Sequence, residues 1–108
     1  MNASRTTQFQ ASSRAEGETA VIGLIGEING LADTALTTAY DTAIELAPSA
    51  ITLDFNQVDY INSTGIALIV GLLAKARAAH LPLTAVGLSE HYREIFTITR
   101  LSDFIEIH

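Results

Sequence analysis

The chain has 108 residues, 48% of them hydrophobic and 17% charged, with a formal net charge of −6 and no cysteine. That length makes one domain whose core buries roughly two thirds of the surface of the unfolded chain, and the composition is a globular one. The acidic balance disfavours nucleic-acid phosphates and anionic lipid, and the missing thiols exclude disulfides, thiolate metal sites and cysteine nucleophiles.

The first ten residues lack the apolar stretch of a secretory signal. Residues 1–5 are expected to be frayed and residues 6–108 to form the domain. The longest apolar run, residues 66–74, is less than half of the roughly 20 residues needed to span a bilayer. A cytoplasmic chain without membrane insertion is the expectation. Lys75, Arg77, Arg93 and Arg100 are scattered and form no basic stripe, so nucleic-acid binding is not expected.

A weak alternation over residues 6–13 (Phe9, Ala11) predicts an edge strand, and Ala15-Glu16-Gly17-Glu18 a hairpin turn. Residues 19–28, rich in Val and Ile, predict a largely buried strand, with Gly23 and Gly26 marking a bulge or a close backbone approach. Asn29-Gly30 breaks that strand and can cap the next element. Residues 31–47 place Ala32, Leu36, Ala39, Tyr40, Ala43, Leu46 and Ala47 at helical spacing, with Asp33, Thr34, Thr37, Thr38, Asp41, Thr42 and Glu45 on the solvated side. Pro48 ends the helix.

Residues 51–55 are the next strand, followed by a polar turn at 56–59. A second helix covers residues 63–80, and Leu81-Pro82 ends it and opens a strand at 83–86. Ser89 is a fair N-cap for a third helix running to about residue 97, with Tyr92, Ile95 and Phe96 facing inward. A short strand at 104–107 closes the chain. The order β-β-α-β-α-β-α-β predicts an α/β domain, a mixed sheet of four or five strands with helices packed on it.

The second helix is apolar nearly all round. At about 100° per residue, Ile66, Ile69, Val70 and Leu73 share the face expected to lie on the sheet, and Ala67, Gly71, Ala74 and Ala78 form a stripe of small side chains. Leu68 and Leu72, beside Lys75, are left on the arc that faces water. Two readings of that arc stay open: another helix or the chain ends cover it, or it is a partner surface.

This helix begins at Asn62-Ser63-Thr64-Gly65. Asn62 and Ser63 are both good N-cap types, and Gly65 permits close backbone approach in the first turn. Capping alone accounts for them. The same place also suits a phosphate, because the free N–H groups and the helix dipole both favour an anion. A phosphoryl group on Ser63 or Thr64 adds about −1.5 to −2 charge and three acceptor oxygens. Beside an apolar docking face it opposes any partner that carries acidic groups or needs that surface dry. Such a switch needs no catalytic residue.

The run LDFNQVDYINSTGIALIVGLL resembles the signature of the STAS domain, the family of anti-sigma-factor antagonists. There a buried strand ending in Leu-Asp leads to an Asp-Ser-[Ser/Thr]-Gly segment that opens an apolar helix. Gly26-Glu27-Ile28-Asn29 resembles the family's Gly-x-Leu-Asp ahead of its first helix, and TRLSDFIEI its closing Thr-Gly-Leu and last strand, so the likeness extends over residues 6–108.

The resemblance implies a non-enzymatic regulator with no cofactor. In such proteins the first hydroxyl of the pair is phosphorylated by a partner serine kinase that doubles as the anti-sigma factor. The unphosphorylated form binds that kinase and frees the sigma factor, and a serine phosphatase resets the system. Carried over residue by residue, the phosphoacceptor is Ser63, with Thr64 the second choice. The expected partner-binding set is Asn29, Asn62, Ser63, Thr64, Gly65, Leu68 and Leu72. The chain departs from the pattern at Asn62, where the motif has Asp, and at Asn29, at the acidic position before the first helix. Asn keeps the capping acceptor and loses the charge. Two readings stay open: a weaker or differently partnered phosphorylation if those carboxylates orient the hydroxyl or engage the kinase, and an easier one if less negative charge makes room for phosphoserine.

The rival within the same family is a constitutive docking subunit of a larger signalling or transport assembly, with Asn62 and Ser63 as a cap and the Leu68/Leu72 arc as a permanent interface. A homodimer suits the same arc. An enzyme reading lacks parts. Ile61-Asn62-Ser63-Thr64-Gly65 misses the first glycine of a hydrolase elbow. His80 lies roughly 25 Å along the helix from Ser63 at 1.5 Å per residue, and His91 shares a solvated face with Glu90 and Glu94. Asp54 and Asp59, flanking the polar turn, are the one carboxylate pair to weigh as acid and base. No metal or nucleotide motif appears.

Overall fold

The computed structural model describes residues 8–108. The expected frayed terminus at residues 1–5, and residues 6–7 of the first expected strand, lie outside the described residues. Five strands and three helices follow in order: β1 (Gln10–Glu16), β2 (Thr19–Ile28), a 3-10 turn (Gly30–Ala32), α1 (Asp33–Glu45), β3 (Ala50–Ile61), α2 (Ser63–Ala78), β4 (Leu83–Val86), α3 (Glu90–Ile98), a second 3-10 turn (Leu101–Asp103) and β5 (Glu106–Ile107).

The sheet keeps chain order, β1-β2-β3-β4-β5, with β1 antiparallel to β2 and every later pair parallel. Each parallel step needs a helical crossover, and right-handed crossovers moving always the same way set all the helices on one face. The burial pattern agrees. Ala20, Ile22, Leu24 and Ile28 of β2, Ile51, Leu53 and Phe55 of β3, and Leu83 and Ala85 of β4 are buried under the helices. Gly23, Ile25, Thr52, Asp54, Thr84 and Val86 on the opposite face stay partly exposed. Fully burying side chains such as Ile22, Leu24, Ile51, Leu53 and Ile69 stabilises by about 1.5–3 kcal/mol each.

Four expectations change in the structure. The edge strand runs over Gln10–Glu16, later than expected, because its register is set by the hairpin: Glu16 pairs with Thr19 around Gly17, whose φ is 63°. The polar stretch at 56–59 is no turn. β3 passes straight through it, and the ladder with β2 slips twice, between the Gly23 and Ile25 pairs and between the Gly26 and Glu27 pairs. Two bulges thus absorb residues that look like a loop. Asp54 Oδ1 accepts from Asn56 N at 2.9 Å and Asn56 Nδ2 at 2.8 Å, fixing the first of them.

α1 stops at Glu45. Leu46 and Ala47, expected on its inner face, are exposed, and Ala47 takes φ 51°, the left-handed residue that closes a helix before Pro48.

The last correction concerns α2. Ile69 and Leu73 are buried as expected, but Leu72 is only 4% exposed and Val70 is 42% exposed, the reverse of the expected roles. The helix packs on α1 as well as on the sheet, so its buried arc rolls toward Leu68 and Leu72. Leu36 and Thr37 of α1 line the same seam as Leu68, Gly71 and Leu72. Lys75 Nζ sits 5.6 Å over the Tyr40 ring, and burial, then the neighbouring Asp41, raises the Tyr40 phenol above its usual range. The arc is therefore covered from within, and the small stripe of Ala67, Gly71, Ala74 and Ala78 faces water instead.

Candidate functional site

β2 and β3 end side by side, Ile28 against Ile61, so the segments after them leave from the same end of the sheet. Asn29 opens one and Asn62 the other. Asn29 Oδ1 accepts from Leu31 N at 2.8 Å, and its Nδ2 donates to Glu27 Oε2 at 3.1 Å. Glu27, a residue that the sequence did not single out, thereby fixes which way the Asn29 amide points.

Asn62 Oδ1 accepts from Gly65 N at 2.8 Å, and the Asn62 N–H donates to the Ile28 carbonyl at 3.1 Å. Of the two expected capping candidates, Asn62 performs the task. Ser63 and Thr64 become the first two helical residues, with exposed side chains. Their N–H groups have no acceptor inside the helix, and no acidic residue lies in this first turn. The positive end of the α2 dipole is thus directed at the Ser63 hydroxyl without a neutralising carboxylate.

Gly65 presses against β2. A Cβ there would overlap the Ile28 carbonyl, with its carbon at 2.8 Å. Gly30 lies beside Thr64 at ordinary contact distance, a Cβ there falling 3.4 Å from Thr64 Cγ2. These approaches join the two segments into one surface. Asn29, Asn62, Ser63, Thr64 and Gly65 come together there, Leu68 is half-buried against the core, and Leu72 is out of reach of a partner.

The 3-10 turn adds Leu31. It buries Ala32 and pushes Leu31 outward, 91% exposed, next to Gly30. Leu31 and Phe9, with Glu27, Asn29 and Thr34, line a shallow cleft of about 460 Å³ beside the site. Leu31 was missed because its position suits a helix start; only the caps reveal which way it points.

The remaining candidates lie elsewhere. Asp54 is engaged by Asn56, and Asp59 is exposed. His80 takes φ 59° just past the end of α2, His91 meets the Tyr92 ring edge-on with centroids 4.9 Å apart, and His108 meets Glu106 at 3.2 Å. Among the described residues no three His, Asp or Glu side chains gather as metal ligands, and no helix is long and apolar enough to cross a membrane.

A family model described as "Mlab, STAS domain" matches residues 11–106. An anti-sigma-B factor antagonist from Listeria monocytogenes serovar 1/2a is 40% identical over 55 residues, 51% of this chain and 48% of that protein. The match with that relative thus takes in about half the length of each. Among solved structures, the anti-sigma factor antagonist SpoIIAA in its unphosphorylated form is 25% identical, with a TM-score of 0.65 over 83% of this chain and 82% of that one. The Bacillus cell fate determinant SpoIIAA in the phosphorylated form has a TM-score of 0.68 at 24% identity, covering 94% and 91%. A five-stranded mixed sheet carrying three helices and a family match running almost end to end agree: the chain belongs to the STAS domain family, to which its anti-sigma-factor-antagonist relatives point.

Proposed function

We propose that the chain is a phosphorylation-controlled binding switch of the anti-sigma-factor-antagonist kind, non-enzymatic and working in the cytoplasm. Unphosphorylated, it binds an anti-sigma factor that is also a serine kinase and so releases the sigma factor. Phosphate on Ser63, or on Thr64 as second choice, breaks that contact, and a serine phosphatase restores it. The observation that carries this reading is the division of labour at α2: Asn62 supplies the cap, while Ser63 beside it keeps an exposed side chain on an uncompensated helix N-terminus. A phosphate there meets free N–H groups and no neighbouring carboxylate in the turn. The loss of acid at Asn29 and Asn62 favours accepting that added charge. The relatives support the direction of the proposal.

Incubation with the cognate kinase and ATP should add one phosphate by intact mass, and Ser63→Ala should abolish it. Unchanged mass alongside stable co-purification with a partner would sink the switch and make the chain a constitutive docking subunit.

The docking surface centres on Asn29, Asn62–Gly65 and Leu31. Truncation of Leu31 to Ala should weaken partner binding about 10-fold, near 1.4 kcal/mol, as expected of an apolar anchor. Melting should not move, since the side chain buries almost nothing in the free protein. Titration calorimetry showing wild-type affinity would place the interface elsewhere.

A further inference from the structure

β3 is much longer than its neighbour. Its pairing with β4 ends at Asp54 against Val86, whereas β3 itself continues to Ile61. Over the second half of β3, the edge away from β2 therefore has no strand beside it, yet Ile61 is buried. Backbone N–H and C=O groups in such a place need partners.

One side chain supplies both. The Tyr92 hydroxyl accepts from Ile61 N at 2.8 Å and donates to Ile61 O at 3.3 Å, and both bonds are buried. A single phenol thus stands in for a neighbouring strand at the residue directly before Asn62. Tyr92 is held for this from three sides. Ser89 Oγ accepts its N–H at 3.2 Å, Phe96 one turn on packs edge-to-face on Phe55 with centroids 6.0 Å apart, and Gly87 brings the chain against the first bulge. A Cβ on Gly87 would sit 2.7 Å from Asn56 N.

We infer that Tyr92 is a positioning residue for the Ser63 segment: its hydroxyl fixes where β3 ends and hence where the first turn of α2 stands. This deepens the switch proposed above and rests on it for the phosphorylation readout alone. The link runs from Tyr92 Oη to Ile61, then through Asn62 N to the Ile28 carbonyl and Asn62 Oδ1 to Gly65 N. α3, whose outer face carries the exposed Glu90, Arg93, Glu94 and Ile98, becomes the element through which that position is held.

The test is Tyr92→Phe, which keeps the ring and removes both bonds, compared with Ala43→Gly, which loosens α1 at a distance. Urea is adjusted so that the two variants are equally stable. Hydrogen exchange of the Gly65 and Ile66 amides, neither bonded to Tyr92, should accelerate 10-fold or more in Tyr92→Phe and not in Ala43→Gly. Initial phosphorylation of Ser63 by the cognate kinase should slow severalfold in Tyr92→Phe only. Unchanged exchange at Gly65, or equal acceleration in both variants, overturns the inference, and so does faster exchange with an unaltered phosphorylation rate. If wild-type protein is never phosphorylated, the switch fails, and the exchange comparison still decides whether Tyr92 positions the segment.

Discussion

Ser63→Asp should weaken binding to the proposed anti-sigma partner by about 10- to 100-fold, equivalent to about 1.4–2.8 kcal/mol, and leave the melting temperature within roughly 3 °C of wild type. The two halves of this expectation have separate physical sources. A carboxylate at the centre of a docking surface must be desolvated by the partner or must face its acidic groups, and such juxtapositions cost several kcal/mol when unpaired. Inside the free protein the same carboxylate occupies the first position of α2, where the dipole stabilises it by about 0.3–1 kcal/mol. Asn62 keeps the cap in either case, through its 2.8 Å bond to Gly65 N. Calorimetry of binding and a thermal melt, run on one preparation, check both. Affinity and melting temperature falling together would make Ser63 a structural residue.

Gly65→Ala should lower stability by about 2–4 kcal/mol and the melting temperature by roughly 10–25 °C. The obstacle is backbone, not a side chain that can turn aside: the Ile28 carbonyl occupies the space a Cβ needs. Overpacking of this kind costs about 1–3 kcal/mol. Relief by shifting α2 outward gives up the bond from Asn62 N to the Ile28 carbonyl and strains the Asn62 cap, each worth about 1 kcal/mol. The better helix propensity of Ala returns under about 1 kcal/mol of this. A circular-dichroism melt within a few degrees of wild type would show that α2 slides freely over β2, contrary to the close approach of Gly65 to the Ile28 carbonyl.

How far the sequence revealed the molecule depended on how one-sided each element is. α3 was legible: Ser89 caps it, and Tyr92 and Phe96 are buried where a single apolar face put them. α2 was not, because a helix apolar on every side offers no period from which to choose a buried arc. Packing against α1 and the close approach at Gly65 decided it, and Leu72 and Val70 exchanged roles. The polar run after Phe55 misled for a different reason. A bulge spends a residue without burying it, so two in succession imitate a turn. At the site, the residue types announced a cap and a hydroxyl; the structure gives the cap to Asn62 and leaves both Ser63 and Thr64 exposed. Leu31, Glu27 and the Tyr92 hydroxyl stayed hidden because their roles arise from contacts between segments far apart in the chain.

The double bulge also governs which changes of length the chain tolerates. Gly23 to Ile28 on β2 is matched by Asp54 to Ile61 on β3, two residues longer. Each bulge takes up one extra residue and leaves the inward phase unchanged, so Val58 packs against the core opposite Gly26 and Ile61 is buried opposite Ile28. Deleting one residue from 56–60 should therefore remove one bulge and leave Ile61 opposite Ile28, with Asn62 and Ser63 still leaving from the same end of the sheet. Deleting two should remove both bulges and straighten β3. A stretch with the composition of a loop is therefore a strand carrying two spare residues, and one or two deletions there should leave the segment that follows in place.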